Sequence, residues 1–306
     1  MADAKSPYGF RYIGAKRRTK EDPRFVTGRG RFAADIAPAG VKHVAIVASP
    51  YPSARIRSID TKAARQAPGV LYVLTGEEFC TATESLMIGV DAPKVTRWAL
   101  AQETVRYAGE WVAAVVADSR ALAEDAAELV EVDYDPLPHV MEPEAAIKPG
   151  SALVHPAHGS NVILHKHFVW GPVSDAFARA DHQLKFRAIW GRNATVPIET
   201  FAVTAAWDPG TEILDIWASI QMPKYPDQTA RALRLPGNAV RVHYDVDVGG
   251  SYGVKRGIKH TVLCGYLARK LGVPVRFVED RLENMRGGDM HGPDRFFDMQ
   301  AAFDRD

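Results

Sequence analysis

The sequence predicts an α+β protein in two parts joined by a proline- and glycine-rich connection. Three observations carry this. Short apolar strands and short amphipathic helices alternate over the first 140 residues. Residues Met141 to Asn161 are rich in Pro, Gly, Ala and His. A second run of strands then ends in a strand, glycine loop, helix, strand series over Val240 to Val278. Mixing of this kind belongs to α+β architecture rather than to regular βαβ winding. The expected boundaries are 1–140, 141–164 and 165–306.

The first part divides as follows. Val41 to Ser49 is apolar and β-prone, and predicts a buried strand; Ala54 to Asp60 alternates and predicts another. Lys62 to Gln66 reads as one or two helical turns stopped by Pro68-Gly69, and Val70 to Leu74 as a strand. Trp111 to Ala117 is wholly apolar. Ser119 is placed to cap a helix whose apolar face is Leu122, Ala126 and Leu129. Glu131 to Tyr134 follows as a strand before Asp135-Pro136.

In the second part, His165 to Trp170 and Gln183 to Trp190 are strand-like. Phe201 to Trp207 and Ile213 to Ser219 form a strand pair around Asp208-Pro209-Gly210. Pro226 to Leu235 predicts a short helix with Pro at its start and Pro236-Gly237 beyond its end. Val240 to Val248 places valines and Tyr244 on one face and Arg241, His243, Asp245 and Asp247 on the other, the strongest strand signal in the chain. A helix from about Gly257 to Leu271 is stopped by Gly272 and Pro274, and Val275 to Val278 follows as a strand. Phe296 to Phe303 reads as half of a hairpin whose edge has no evident partner. That points to a split subunit or a truncated chain.

Composition excludes several functions. The 306 residues carry a formal net charge of +1, so no basic field suggests nucleic acid. Lys16-Arg17-Arg18, Arg24, Arg29 and Arg31 read as a solvated N-terminal arm. Two cysteines, Cys80 and Cys264, can build neither a disulfide framework nor a four-cysteine iron–sulfur site. No apolar run reaches the ~20 residues that span a bilayer, and no signal-peptide core opens the chain. A cytoplasmic protein is expected. His155-x-x-His158 lies in a Pro/Gly-rich loop without a thiol or carboxylate beside it, and reads as surface.

The loop Gly249-Gly250-Ser251-Tyr252-Gly253 is where chemistry is expected. Glycines let backbone approach a ligand closely, and amides near a helix start can face oxygen-rich groups. The spacing does not match a dinucleotide-binding Gly-x-Gly-x-x-Gly. A ligand-free turn and a loop lying under another cofactor both remain.

Taken together, three stretches resemble the molybdopterin-binding large subunit of the xanthine dehydrogenase, aldehyde oxidase and aerobic carbon monoxide dehydrogenase family. The first is Glu21-Asp22-Pro23-Arg24-Phe25-Val26-Thr27-Gly28 with Gly30-Arg31-Phe32 and Asp35. The second runs from Ser49 to Thr75 and from Val105 to Pro138. The third holds Pro197, Glu199, Trp217, Ser219, Gln221, Pro223, Val240-Arg241-Val242, Gly249-Gly250, Tyr252-Gly253 and Glu279-Asp280-Arg281-x-Glu283.

The resemblance implies an α/β hammerhead domain followed by the first part of a molybdenum-cofactor domain. It implies that Gln221 hydrogen-bonds an oxygen ligand of molybdenum, a task suited to an amide that donates without adding charge. Gly250, Tyr252 and Gly253 would lie beside the cofactor, with Tyr where the family has Phe and Ser251 in place of a glycine. Arg256 falls where purine-oxidising members carry a substrate-binding glutamate, so it would pair with an acidic substrate or cap the loop. Glu199 is expected to be a structural acid. The family's catalytic glutamate lies in a later region, absent from this chain.

The implied cofactor is a molybdopterin-type molybdenum cofactor, with iron–sulfur clusters and FAD on partner subunits. The implied partners are the remaining molybdopterin-binding chain, an iron–sulfur subunit and an FAD subunit. The implied reaction oxidises an aldehyde or N-heterocycle with water-derived oxygen. The alternatives are a non-catalytic assembly module or a truncated fragment.

Overall fold

A computed structural model describes residues 9, 10, 12–14, 18–87, 92, 94–287 and 291–305. Lys16, Arg17 and Asp306 lie outside the described residues. The first part contains helix α1 (Asp22–Val26), strands β1 (Lys42–Ala48) and β2 (Ala54–Asp60), α2 (Lys62–Gln66), β3 (Val70–Thr75) and α3 (Gly76–Ala82). It continues with β4 (Thr104–Val105), β5 (Trp111–Ala117), α4 (Arg120–Ala127), β6 (Glu131–Pro136) and α5 (Pro143–Ala146). The second part has α6 (Val173–Arg179), β7 (His182–Trp190), β8 (Asn193–Ala194), β9 (Ala202–Asp208), β10 (Ile213–Ala218), α7 (Tyr225–Ala232) and β11 (Val240–His243). It closes with α8 (Ile258–Leu271), β12 (Val275–Val278), α9 (Arg281–Arg286), β13 (His291–Gly292) and β14 (Arg295–Phe303).

One seven-stranded sheet, ordered β11-β10-β9-β12-β1-β5-β3, runs through both parts. Its join is the parallel pairing of β1 with β12, where Lys42 faces Val275 and His43 faces Arg276. Strand β5 is buried at every position, which is why its sequence does not alternate: both faces are covered. On one face Ala113 and Val115 meet Ala64 of α2 and Ala126 of α4. On the other, Trp111, Ala114 and Val116 join the main core with Val203, Leu214, Ile216, Leu263, Leu267 and Phe277. Each large aliphatic side chain so buried contributes roughly 1.5–3 kcal/mol.

Local signals explain the element ends. Ser119 accepts from the Leu122 amide and caps α4. The buried face of that helix is Ala123 and Ala126, whereas Leu129, expected to be inside, is exposed beyond the helix end. Asp208 accepts from the Gly210 amide at 2.8 Å and from Thr211 Oγ1 at 2.8 Å, fixing the β9–β10 turn. Gly272, left-handed at φ 66°, ends α8 with its amide on the Ala268 carbonyl.

Several expectations change. The long strand over 240–248 ends at His243, because the charged side chains beyond it are claimed elsewhere. Asp247 receives both Arg24 guanidinium nitrogens, at 2.5 and 2.6 Å, and the Arg31 amide at 2.7 Å; Asp245 receives Arg31 Nη1 at 3.1 Å. Arg24 and Arg31 are therefore tied down rather than part of a solvated arm. Residues His165 to Trp170 form no strand, and Phe168 and Trp170 stack on each other in the open at 5.7 Å. Helices α1, α3, α5, α6 and α9 arise where no helix was expected. The edge of Phe296 to Phe303 is also not left bare, since β14 pairs with β7 along its whole length. In that ribbon Leu184, Phe186, Ala188 and Trp190 share a face with Phe297, Met299, Ala301 and Phe303 by register. Leu184, Phe186, Trp190, Phe297, Met299 and Phe303 are all exposed.

Candidate functional site

The candidate site lies where β9, the end of β10 and the start of α8 converge. Gln221 follows β10 after Ser219 and Ile220; the Gly249–Gly253 loop leads toward α8; Pro197 and Glu199 precede β9. The fold brings these separated stretches together. Ser251 Oγ donates to Gln221 Oε1, and the Gln221 amide donates to the Lys255 carbonyl at 3.1 Å. With its oxygen engaged, Gln221 keeps its side-chain NH2 free of any described partner, on an exposed side chain.

The loop backbone fits a ligand-facing role. Gly249 has no room for a side chain, since a Cβ there would stand 2.6 Å from Glu199 Cβ. Gly250 has φ 96°, Tyr252 φ 54° and Gly253 φ 95°; the left-handed state of Tyr252 is a local strain of the kind found at binding sites. Tyr252 is 74% exposed. The amides of Gly250, Ser251, Tyr252 and Gly253 donate to no described residue, whereas those of Val254, Lys255 and Arg256 bond back within the loop.

Behind the loop sits a pair that the sequence did not reveal. Lys255 is 2% exposed, and its ammonium donates to Glu199 Oε2. The same oxygen accepts the Gly249 amide at 2.7 Å. Glu199 Oε1 is buried and has no partner among the described residues. Burial pulls the Lys255 pKa down, against the opposing pull of Glu199. Glu199 is thus hydrogen-bonded within the protein, at the loop entrance and to Lys255. No local signal marks Lys255 for burial, because its partner is 56 positions away.

Gly257, where the sequence placed the start of the helix, immediately precedes α8. It is left-handed at φ 53°, and a Cβ there would come within 2.1 Å of the Phe201 ring. Tyr225, fully buried, donates its hydroxyl to the Gly257 carbonyl at 3.0 Å. Arg256 is exposed beside it, and its guanidinium caps nothing among the described residues.

Next to the site, Glu279 is a buried hub. Its Oε1 meets His260 Nε2 at 2.7 Å, and Oε2 accepts from Asn284 Nδ2 at 2.7 Å and the Phe201 amide at 3.2 Å. Burial opposes its ionisation, but the charge and hydrogen bond of His260 and the amide of Asn284 prevail and lower its pKa. It ties the residue before β9 to the end of β12. His155 and His158 join no group of three or more potential metal ligands among the described residues. No helix there is long and apolar enough to cross a membrane.

Beyond the ends of β9 and β10, in a sheet shared by both parts, the glycine loop offers backbone donors to an oxygen-rich group. Comparison with known proteins says which. Residues 154–306 match the molybdopterin cofactor-binding domain, and residues 27–138 match the a/b hammerhead domain of aldehyde oxidase and xanthine dehydrogenase. The chain belongs to the family of molybdopterin-binding large subunits of xanthine dehydrogenase, aldehyde oxidase and carbon monoxide dehydrogenase. It is 35% identical over 301 residues to subunit gamma of the 6-hydroxypseudooxynicotine dehydrogenase complex of Paenarthrobacter nicotinovorans, covering 96% of this chain and 37% of that one. It is 35% identical to the nicotine 6-hydroxylase large subunit of the same organism, over 95% of this chain and 36% of that one. Quinoline 2-oxidoreductase from Pseudomonas putida 86 superposes with a TM-score of 0.83 at 35% identity, over 93% of this chain and 36% of that one. The chain thus spans about a third of the length of the relatives it matches.

A molybdopterin-type cofactor fits the residues present. Free amides at Gly250 to Gly253 and the Gln221 NH2 are donors for an oxygen-rich, anionic group, and no side chain crowds Gly253.

Proposed function

We propose that the chain is the part of a molybdenum hydroxylase that forms one wall of the cofactor site. The observation that carries this reading is the Ser251–Gln221 hydrogen bond, which joins two motifs 30 residues apart into one donor surface. Gln221 would donate its NH2 to an oxygen ligand of the metal, and the Gly250–Gly253 backbone would line the cofactor. The Tyr252 ring would bound the same side. When bound, the cofactor supplies the two-electron redox chemistry, and the oxygen inserted comes from water. What this chain contributes is position and hydrogen bonding in a prearranged frame.

The substrate class is an aldehyde or an N-heterocycle. Relatives named for nicotine and quinoline oxidation support the latter. Arg256, exposed with no partner among the described residues, would meet an acidic group on the substrate. The proton-abstracting glutamate would come from the remaining molybdopterin-binding region. Iron–sulfur and FAD subunits would carry electrons away, in keeping with two buried cysteines that offer no cluster site. The exposed apolar face of the β7–β14 ribbon supports the need for a further chain. The proposed domain division is an arm and hammerhead over 1–140, a linker over 141–164 and the cofactor-domain segment over 165–306.

The test is purification of the native complex, with metal analysis, pterin assay and subunit identification by mass spectrometry. Molybdenum and pterin in a complex with further subunits are expected, and Gln221→Ala is expected to lower turnover about 10²-fold or more, the scale of losing one aimed donor. Unchanged turnover in that variant would defeat the role given to Gln221, and a complex free of pterin would defeat the whole reading.

A further inference from the structure

We propose that Glu199 and Lys255 are positioning residues that set the Gly249–Lys255 loop for the cofactor; this rests on the cofactor reading above. A single carboxylate oxygen, Glu199 Oε2, accepts the Gly249 amide at the loop entrance and the Lys255 ammonium at its exit. The Glu199 amide also donates to the Gly249 carbonyl at 3.3 Å. Both ends of the loop are thereby tied to one side chain that approaches from the segment before β9.

Lys255 extends the tie to the other wall of the site. Its amide donates to Ser251 Oγ at 3.2 Å, and its carbonyl accepts the Gln221 amide at 3.1 Å. Ser251 in turn donates to the Gln221 side-chain oxygen. The side-chain oxygen of Gln221 is thus held through Ser251, beside Lys255, which leaves its NH2 as the group without a partner among the described residues. A chain of contacts runs from Glu199 to the one side-chain donor assigned to the cofactor.

A buried ion pair is a poor means of stabilising a fold. Replacing one with apolar groups of similar volume is often neutral or favourable, because desolvation opposes the Coulomb gain. Lys255, almost wholly buried, and Glu199, with one oxygen buried and unpartnered among the described residues, would be better replaced if stability were the only demand. What the pair provides and an apolar pair does not is direction: hydrogen bonds that fix where seven residues of backbone lie.

This argument defines the experiment. The double variant Glu199→Leu/Lys255→Met removes both charges at similar volume. Three measurements are made: urea unfolding of the full chain, amide hydrogen exchange over residues 249–256 in the same chain, and molybdenum content of the native complex. The expected result is an unfolding midpoint close to that of the wild type, exchange of the hydrogen-bonded loop amides at positions 249, 254 and 255 about tenfold or more faster, and molybdenum content reduced by a similar factor. Exchange in β9 and β10 should not change.

Unaltered loop exchange overturns the clamp. Faster loop exchange with full molybdenum content overturns its link to the cofactor. A wild-type complex that lacks molybdenum overturns the cofactor reading, a failure distinct from either. Should the double variant not fold, Glu199→Gln keeps the shape and an acceptor oxygen while depriving Lys255 of its counter-charge. It is judged by the same exchange and metal measurements.

Discussion

Replacing Gly257 by alanine puts the packing around the start of α8 to a quantitative test. Two costs apply. An L-residue held in the left-handed region costs about 1–2 kcal/mol. The added Cβ would stand 2.1 Å from Cε2 and Cζ of Phe201, a contact that real atoms do not make, so the ring or the helix must shift. Forcing a methyl into a packed core costs about 1–3 kcal/mol. Together the loss is about 2–5 kcal/mol, a large part of the ~5–15 kcal/mol that holds a typical domain folded.

Gly272 supplies the control. It is also left-handed, at φ 66°, but a Cβ there meets nothing within 4 Å, so Gly272→Ala should lose only the backbone contribution of about 1–2 kcal/mol. Urea unfolding followed by tryptophan fluorescence gives both values, with the slope unchanged so that the midpoints report stability. Phe201→Leu in the Gly257→Ala background should recover part of the loss. If Gly257→Ala costs no more than Gly272→Ala, Phe201 does not lie over the helix start and the description of this corner is wrong.

Three further predictions follow from the ionisable and thiol groups. Burial lifts the Glu283 carboxyl from 4.5 to about 7; the folded state holds its proton more tightly than the unfolded state, so stability is fullest below 4.5 and declines as pH rises through about 7. Glu283→Gln should flatten that slope and raise stability above pH 7 by at most about 3 kcal/mol, and a pH series of urea midpoints parallel to wild type would contradict it. Asp247 is depressed, chiefly by the Arg24 guanidinium and then by the Arg31 amide, so its contribution is present above the ordinary carboxylate range and lost as pH falls through the lowered value. A carboxyl-carbon NMR titration should show Asp247 rising toward the ordinary range in Arg24→Ala, with the Arg31 amide still holding it somewhat below. Finally, burial pushes the Cys80 thiol up to about 12 and raises Cys264 as well, so neither should react with an aromatic disulfide reagent at pH 8 until urea unfolds the chain.

What the sequence revealed was local. The β9–β10 turn was legible because Asp208-Pro209-Gly210 carries its own hydrogen bonds, and α8 because its end is a glycine in the conformation glycine favours. Strand β5 was legible from an unbroken apolar run. What remained hidden depends on distant partners. The alternation over 240–248 described a strand correctly as far as His243, but nothing in that stretch announces that Asp247 belongs to Arg24, 223 residues earlier. The pairing of β1 with β12 is equally silent, since each strand satisfies the same apolar pattern whichever neighbour it takes. At the site, the glycines and Gln221 could be picked out by resemblance. Lys255 could not, because a lysine is ordinarily a surface residue and only the carboxylate of Glu199 makes its burial tolerable.

The position of β12 in the sheet has a kinetic consequence. This short strand, Val275–Val278, fills the slot between β9 and β1, yet it is made long after β1 leaves the ribosome. Until it arrives, β1 and β9 each present an unpaired inner edge, and the sheet is two pieces with a gap. Closing the gap requires contacts between residues more than 230 positions apart, the kind of topology that folds slowly. The nascent chain must therefore wait until residue 278 has been made, with aggregation-prone edges open. Its yield should depend more on growth temperature and chaperone supply than on the stability finally reached.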